Sequence, residues 1–340
     1  MKSQLEPMNR ASKKRSKKKR LLIFTLIPLL LIILGSGGYF FHLYGKAKAV
    51  VSDAYSGLDR GDKSHKREKA VKPMTDNISV LIMGVDESEM RSKDYGEAVR
   101  TDALLLATIN KDDKSVKLVS IPRDSRVYIQ SRNKQEKLDK INHAHAYNGV
   151  DGTIDAVENF LDVPVDYYVK FNFESFIKIV DSLGGIEVDV PVEITEQNSK
   201  DQADAIHLEK GLQQLNGEEA LALARTRHID SDFMRGQRQQ LVLEAIAEKA
   251  LSVGSINKLG DLLEAVDKDI KTNLTFDDMM AIATNMMDTK LNIENMQIEG
   301  TDEYIDGTYY YIPDKRNVEE LSEQLHQHLG VTSKEDHKKL

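Results

Sequence analysis

The chain has no cysteine, which excludes a disulfide framework, a thiolate zinc site and a cysteine nucleophile together. No internal repeat recurs at a fixed period, so a solenoid or propeller is not expected. Ser120 and Ser125 lack the flanking glycines of a nucleophile elbow, and no acyl-transfer triad is evident. Positive charge is outnumbered by negative wherever a fold could form. The first twenty residues contribute +8 to a formal net charge of −8, so residues 21–340 carry −16. Such a chain lacks the electrostatic footprint of a nucleic-acid binder, and no nucleic-acid partner is expected. Any anion-binding site must be a local exception to this acidity.

A second absence is more informative. From Leu21 to Tyr44 there is no Lys, Arg, Asp or Glu. At about 1.5 Å per residue such a run crosses a hydrocarbon core of roughly 30 Å. Eight basic residues between Arg10 and Arg20 precede it, which holds the N-terminus in the cytoplasm and sends the rest of the chain outward. Tyr39, Phe40, Phe41 and Tyr44 suit the outer interface. A cleaved signal peptide, suggested by Ala47-Lys48-Ala49, competes with this reading. The uncharged run, however, is longer than the usual apolar core of about 7–15 residues. The expectation is a single-pass type II cell-membrane protein whose basic tail meets anionic membrane lipid.

Five segments follow: a basic cytoplasmic tail (1–20), a signal-anchor helix (21–44), a polar extracellular stalk (45–77), one large domain (78–330) and a polar C-terminal tail (331–340). Within the domain, Ile78–Gly84 is a short apolar run of buried-strand type. The runs 103–109 and 116–121 flank Asn110-Lys-Asp-Asp-Lys114 and predict a hairpin. Helical spacing recurs over 154–161, 173–183, 261–266, 276–287 and 318–329, with strands at 167–171, 186–190, near Met296 and at 309–312. Asn216 followed by Glu219 predicts a capping box, and Asp232 a second helix start. Interleaved strands and helices indicate one α/β or α+β domain.

Charged groups gather at predicted strand ends, where ligands converge in α/β sheets. Asp86 and Asp102 could hold a hard divalent cation, and Arg100 and Arg123 could bind phosphate oxygens. Taken singly, each could equally cap a turn or join a surface ion pair. Arg225, Arg227, Arg235 and Arg238 add a second concentration, with Asp232 and Gln239 among them. On so acidic a domain they suggest an anion pocket, the alternative being a basic patch that pairs with the acidic remainder. His143 and His145 form an H-x-H without an evident third ligand.

These motifs together resemble the LytR-CpsA-Psr family, in particular its teichoic acid transferases. The resemblance rests on Val80-Leu-Ile-Met-Gly-Val-Asp86, Arg100-Thr-Asp102, Ser120-Ile-Pro-Arg-Asp124, Asp139-Lys-Ile-Asn142, Val180-Asp-Ser-Leu-Gly-Gly185 and Leu215-Asn-Gly-Glu-Glu-Ala-Leu221, in family order. It implies a single domain with a central mixed sheet flanked by helices, binding a polyprenyl pyrophosphate with its tail in an apolar channel. It implies Mg²⁺ (or Mn²⁺) on Asp86 and Asp102, and phosphate-binding arginines at Arg100, Arg123, Arg225, Arg227 and Arg235. Asp232 would join them, and Arg238 and Gln239 would bind the lipid pyrophosphate. The implied activity moves a glycopolymer, wall teichoic acid first, from undecaprenyl pyrophosphate to peptidoglycan by phosphoryl transfer. Asp124 or Asp232 would serve as base. A non-catalytic polyprenyl-phosphate-binding regulator and a pyrophosphatase are the alternatives. Met234 stands where relatives often have glycine.

Overall fold

In a computed structural model of the protein, the residues described are 44–46, 48–85, 99–227, 229–251, 270–286 and 292–331. The basic tail, the expected span 21–44 except Tyr44, Asp86, the helix expected at 261–266 and the C-terminal tail beyond Val331 lie outside them. Among the described residues, no helix is long and apolar enough to cross a membrane. The chain divides into two units, Met1–Ala49 and Val50–Leu340. In the first, residues 44–46 and 48–49 are helical. All that follows concerns the second.

Its centre is a mixed sheet. Strands β1 (Ile78–Val85), β2 (Thr101–Asn110) and β3 (Ser115–Ser120) pair antiparallel in sequence, the β2–β3 turn falling where the Asn-Lys-Asp-Asp run predicts it. A hairpin, β4 (Arg126–Gln130) and β5 (Glu136–Lys140), leads into helix α1 (His143–Leu161), which is interrupted by non-helical backbone at Asn148 and Gly149. Strand β6 (Tyr167–Asn172) then pairs parallel to β1. Further along come α2 (Phe173–Ser182), β7 (Ile186–Val190), β8 (Ile194–Glu196), β9 (Ile206–Leu208), β10 (Gly211–Leu215), α3 (Gly217–Arg225) and α4 (Asp232–Leu251). The described chain ends with β11 (Lys271–Thr272), α5 (Phe276–Met286), β12 (Asn292–Gln297), β13 (Gly300–Ile305), β14 (Thr308–Pro313) and α6 (Lys315–Leu329). The six-stranded sheet runs β11-β6-β1-β2-β3-β12.

The period of two along β2 distributes its side chains to two cores. Leu104 and Leu106 join Ile154, Val157 and Leu161 of α1 and Leu321 and Leu325 of α6 on one face. Leu105 and Ala107 pack with Leu118 and Leu243 on the other, under α4. The predicted capping box of α3 forms: Asn216 Oδ1 accepts the Glu219 amide at 3.0 Å, and Glu219 Oε2 accepts the Asn216 amide at 2.8 Å. Helix α2 is capped by Asn172, whose side chain accepts the Ser175 amide at 2.9 Å.

The segment expected as a stalk differs from Val50 onward. Val51, Ala54 and Leu58 are buried, and two arginines fasten the segment to the sheet unit. Arg67 makes a forked pair with Asp166, at 2.9 and 2.6 Å. Arg60 reaches Glu158 at 2.8 Å. The segment is held by buried ion pairs at irregular spacing, which leave no apolar periodicity in the sequence.

Asp139 ties β5 to the start of α1. It accepts from Lys137 at 2.6 Å, His143 at 2.9 Å, Tyr147 at 3.1 Å and the Lys140 amide at 2.8 Å. Burial alone would raise its pKa, but these donors outweigh it and hold the carboxyl at about 2. A depressed carboxylate contributes stability above its unfolded value that is lost as pH falls through the folded one. Acid titration of the wild type should therefore show stability falling between about pH 4 and pH 2, with a shallower slope in Asp139→Asn followed by circular dichroism.

Candidate functional site

Because β1 and β3 are both antiparallel to β2, while β6 and β12 are parallel to them, the carboxyl ends of four strands lie on one sheet edge. Such an edge is where α/β sheets collect ligands. The start of β2 also falls there, which brings Arg100 and Asp102 beside Gly84, and the loop after β3 delivers Arg123 and Asp124. Gly84 leaves little room for a side chain. A Cβ there would stand 3.1 Å from that of Ala103, in the wall of a groove.

The groove encloses about 950 Å³ of empty space including its open mouth. Its walls are apolar, formed by Phe171, Phe173, Phe176, Leu221, Val242 and Leu243. At its mouth stand Asp102, Arg123, Arg225, Arg227, Arg235 and Gln239. Arg123 and Arg227 are shared with a second, polar cavity lined also by Arg100, Asp124, Lys140, Asp230, Asp232, Asp302 and Tyr309. Two arginines thus divide an apolar groove from a polar one.

Each cation is held differently. Arg123 pairs with Asp102 and lies 3.4 Å from Asp124. Burial works against its charge, but the carboxylates of Asp102 and Asp124 prevail and raise its pKa. Arg235 is buried and donates to Asp232 at 3.1 Å. Burial first, then the like charges of Arg123 and Arg227, lower it to about 10, so it stays charged at neutral pH. Arg225 stacks over Phe173 at 5.7 Å. Arg100 and Arg227 are exposed and make no hydrogen bond or ion pair with the described residues. Mutually repelling cations on a low-dielectric wall are stabilised by a polyanion between them.

Helix α4 approaches the sheet through Gly236. A Cβ there would meet Ser120 Oγ at 2.4 Å, and one turn on Gln240 donates to the carbonyls of Leu118 at 2.6 Å and Met296 at 2.8 Å. Gly236→Ala should lift the first turn of α4 and with it Arg235, costing about 1–3 kcal/mol by overpacking. Thermal denaturation and ligand affinity should fall together. Met234 leaves the helix intact: it lies within α4, its amide donating to Ser231 Oγ at 3.3 Å.

One residue of the expected site stands apart. Arg238 is fully buried, outside both cavities, and its two Nη atoms donate to Asp230 at 2.6 and 2.9 Å and to the Thr226 carbonyl at 2.7 Å. It braces the α3–α4 loop. Gln239 does line the groove and donates to the Ala224 carbonyl at 3.2 Å. His143 is engaged by Asp139 at 2.9 Å, and His145 meets the Val99 carbonyl at 2.9 Å. Among the described residues no group of three or more His, Cys, Asp or Glu could hold a metal ion. Lys140, Asp302 and Tyr309 were not foreseen as site residues. Lys140 lies inside the Asp139–Asn142 motif, which was a signal for it.

The fold and this edge define a protein of the α/β class whose apolar groove adjoins a cluster of arginines. The chain belongs to the LytR_cpsA_psr family, which it matches over residues 39–327. It is 40% identical over 298 residues to the polyisoprenyl-teichoic acid–peptidoglycan teichoic acid transferase TagU of Bacillus subtilis, covering 87% of this chain and 91% of that protein. Among solved structures it is similar to TagT bound to LIIa-WTA (TM-score 0.70, 38% identity, 81% of this chain and 100% of that one). It is also similar to YwtF (TagT) with bound octaprenyl pyrophosphate lipid (TM-score 0.65, 36% identity, the same coverage).

Proposed function

We propose that this chain is a transferase that attaches an anionic glycopolymer, wall teichoic acid foremost, to peptidoglycan from undecaprenyl pyrophosphate. The observation that carries the reading is the junction of an apolar groove with a mouth of four arginines, Arg123, Arg225, Arg227 and Arg235. A polyprenyl chain suits the groove, and a diphosphate suits the mouth.

In the reaction, an acceptor hydroxyl oxygen bonds to the polymer-bearing phosphorus. The bond from that phosphorus to the bridging oxygen breaks, and undecaprenyl phosphate leaves. The arginines fix the diphosphate and neutralise charge that grows on the bridging oxygen, which is most of what phosphoryl transfer requires. Asp232, held by one arginine, is better suited to take the hydroxyl proton than Asp124, which faces both Lys140 at 2.8 Å and Arg123 at 3.4 Å. Mg²⁺ or Mn²⁺ belongs to the same proposal. Asp102 offers a hard carboxylate beside the arginines, one oxygen already taken by Arg123, and a cation shared with the phosphates would supply further charge neutralisation. The site lies on the outer face of the cell membrane in this reading, anchored through 21–44, where a flipped lipid carrier presents its pyrophosphate.

The test is polymer transfer by the full chain in detergent, with lipid-linked precursor and peptidoglycan. Ala224→Trp, which fills the groove, should raise KM for the lipid donor roughly ten-fold, the equivalent of about two buried methylenes. Release of free phosphate without transfer would indicate a pyrophosphatase, and lipid binding without turnover a regulator. Either result would overturn the proposal.

A further inference from the structure

Beyond Arg123 and Arg227 the polar cavity opens against the β13–β14 hairpin, whose fourteen residues from Gly300 to Pro313 include four tyrosines. Tyr311 is the anchor. It is buried, its hydroxyl donates to the Ile298 carbonyl at 2.8 Å, and its amide donates to the Asp124 carbonyl at 3.0 Å. The hairpin is therefore fixed to the same loop that carries Arg123. Tyr304 is 74% exposed, and its ring meets that of Tyr309 edge-on at 5.7 Å. Tyr309 donates its hydroxyl to Asp302 at 2.8 Å. Lys140 lies 5.6 Å from the Tyr309 ring and 5.8 Å from that of Tyr310.

We propose that this tyrosine hairpin is the docking surface for the acceptor's glycan strand, and the proposal rests on the transferase reading. A pyranose ring has an apolar C–H face and a rim of hydroxyls. An exposed tyrosine platform with a carboxylate and an ammonium at its edge matches both. Continuity fixes the direction: Tyr309 and Asp302 line the cavity that Arg123 and Arg227 share with the lipid groove. A sugar laid on the hairpin therefore leads its hydroxyl toward the phosphorus. Charge is consistent with that occupant: the carboxylates of Asp124, Asp230, Asp232 and Asp302 balance the cations of Arg100, Arg123, Lys140 and Arg227, so the cavity offers a polyanionic glycopolymer no net attraction and suits an uncharged sugar ring.

The experiment uses the full chain in detergent and an uncrosslinked peptidoglycan oligosaccharide. Tyr304→Ala changes a side chain exposed enough to leave the melting temperature unaltered. It should raise KM for the oligosaccharide roughly ten-fold, as truncation of an aromatic anchor does, while KM for the lipid donor holds. Tyr304→Phe should restore the wild-type value. Saturation-transfer NMR on the oligosaccharide alone should show sugar-proton signals that Tyr304→Ala abolishes. An unchanged acceptor KM in Tyr304→Ala, or equal losses toward donor and acceptor, overturns the platform while transfer by the wild type stands. Oligosaccharide signals that vanish in Tyr304→Ala, with no transfer by the wild type, keep the platform and sink the transferase reading. Signals from a soluble teichoic acid oligomer in place of the glycan overturn it as well.

Discussion

Arg227→Ala is expected to cut polymer transfer by roughly a hundred- to a thousand-fold, the usual cost of removing one preorganised donor from developing negative charge. Its position argues for a purely chemical loss. Arg227 lines both cavities, is exposed, and has no hydrogen-bond or ion-pair partner among the described residues. Removing it leaves no buried carboxylate behind, so the melting temperature should hold. Arg235 cannot give so clean a result, because Asp232 would lose its cation at the same time. Arg227→Lys should recover only part of the rate, since an ammonium keeps the charge but not the planar fork. Transfer and thermal melts measured on the same preparations check both points. Full activity in Arg227→Ala would remove this residue from the site.

The sheet and its edge were largely legible in the sequence. Strands β1 and β2 are largely buried on both faces and read as apolar runs, β3 is buried over its second half, and the Asn216 to Glu219 box is a local hydrogen-bond pattern at fixed spacing. Arg100, Asp102 and Arg123 come to two adjoining cavities from strand ends, whose places the strands set, while Arg225, Arg227 and Arg235 come from the end of α3, the loop after it and the first turn of α4. What escaped depends on distant partners. Strand β5, Glu-Lys-Leu-Asp-Lys, is mostly exposed and has no apolar alternation; it is a strand because β4 lies beside it. Val50 to Asn77 docks through Arg60 and Arg67, whose partners Glu158 and Asp166 are 98 and 99 residues away. The tyrosines of β14 joined the site only because Tyr311 pairs with the Asp124 loop.

Arg238 shows the same limit from the other side, since an arginine one helical turn from Arg235 looks identical in sequence whether it meets a phosphate or a carboxylate. Here its side chain has no exposed surface and is closed by Asp230 and the Thr226 carbonyl. Arg238→Leu is therefore expected to destabilise the protein by about 1–3 kcal/mol, because it leaves the Thr226 carbonyl without its donor, while Asp230, partly open to solvent, can rehydrate. That is measurable against a typical folding free energy of about 5–15 kcal/mol. Asp230→Asn should cost at least as much, about 1.5–3 kcal/mol, since the amide still accepts a hydrogen bond but the fully buried guanidinium loses its counter-charge. The double variant Arg238→Leu/Asp230→Leu should recover part of the single-variant loss, because no unpaired charge remains. Urea denaturation reads all three, through a lowered midpoint with an unchanged slope. If Arg238 bound the diphosphate, Arg238→Leu would keep its midpoint and lose affinity for the lipid, and Asp230→Asn would not resemble it. A shared loss of stability in both variants, with lipid affinity falling only as the folded fraction falls, is the signature of a brace that holds Arg227, just past α3, and Asp232, at the start of α4.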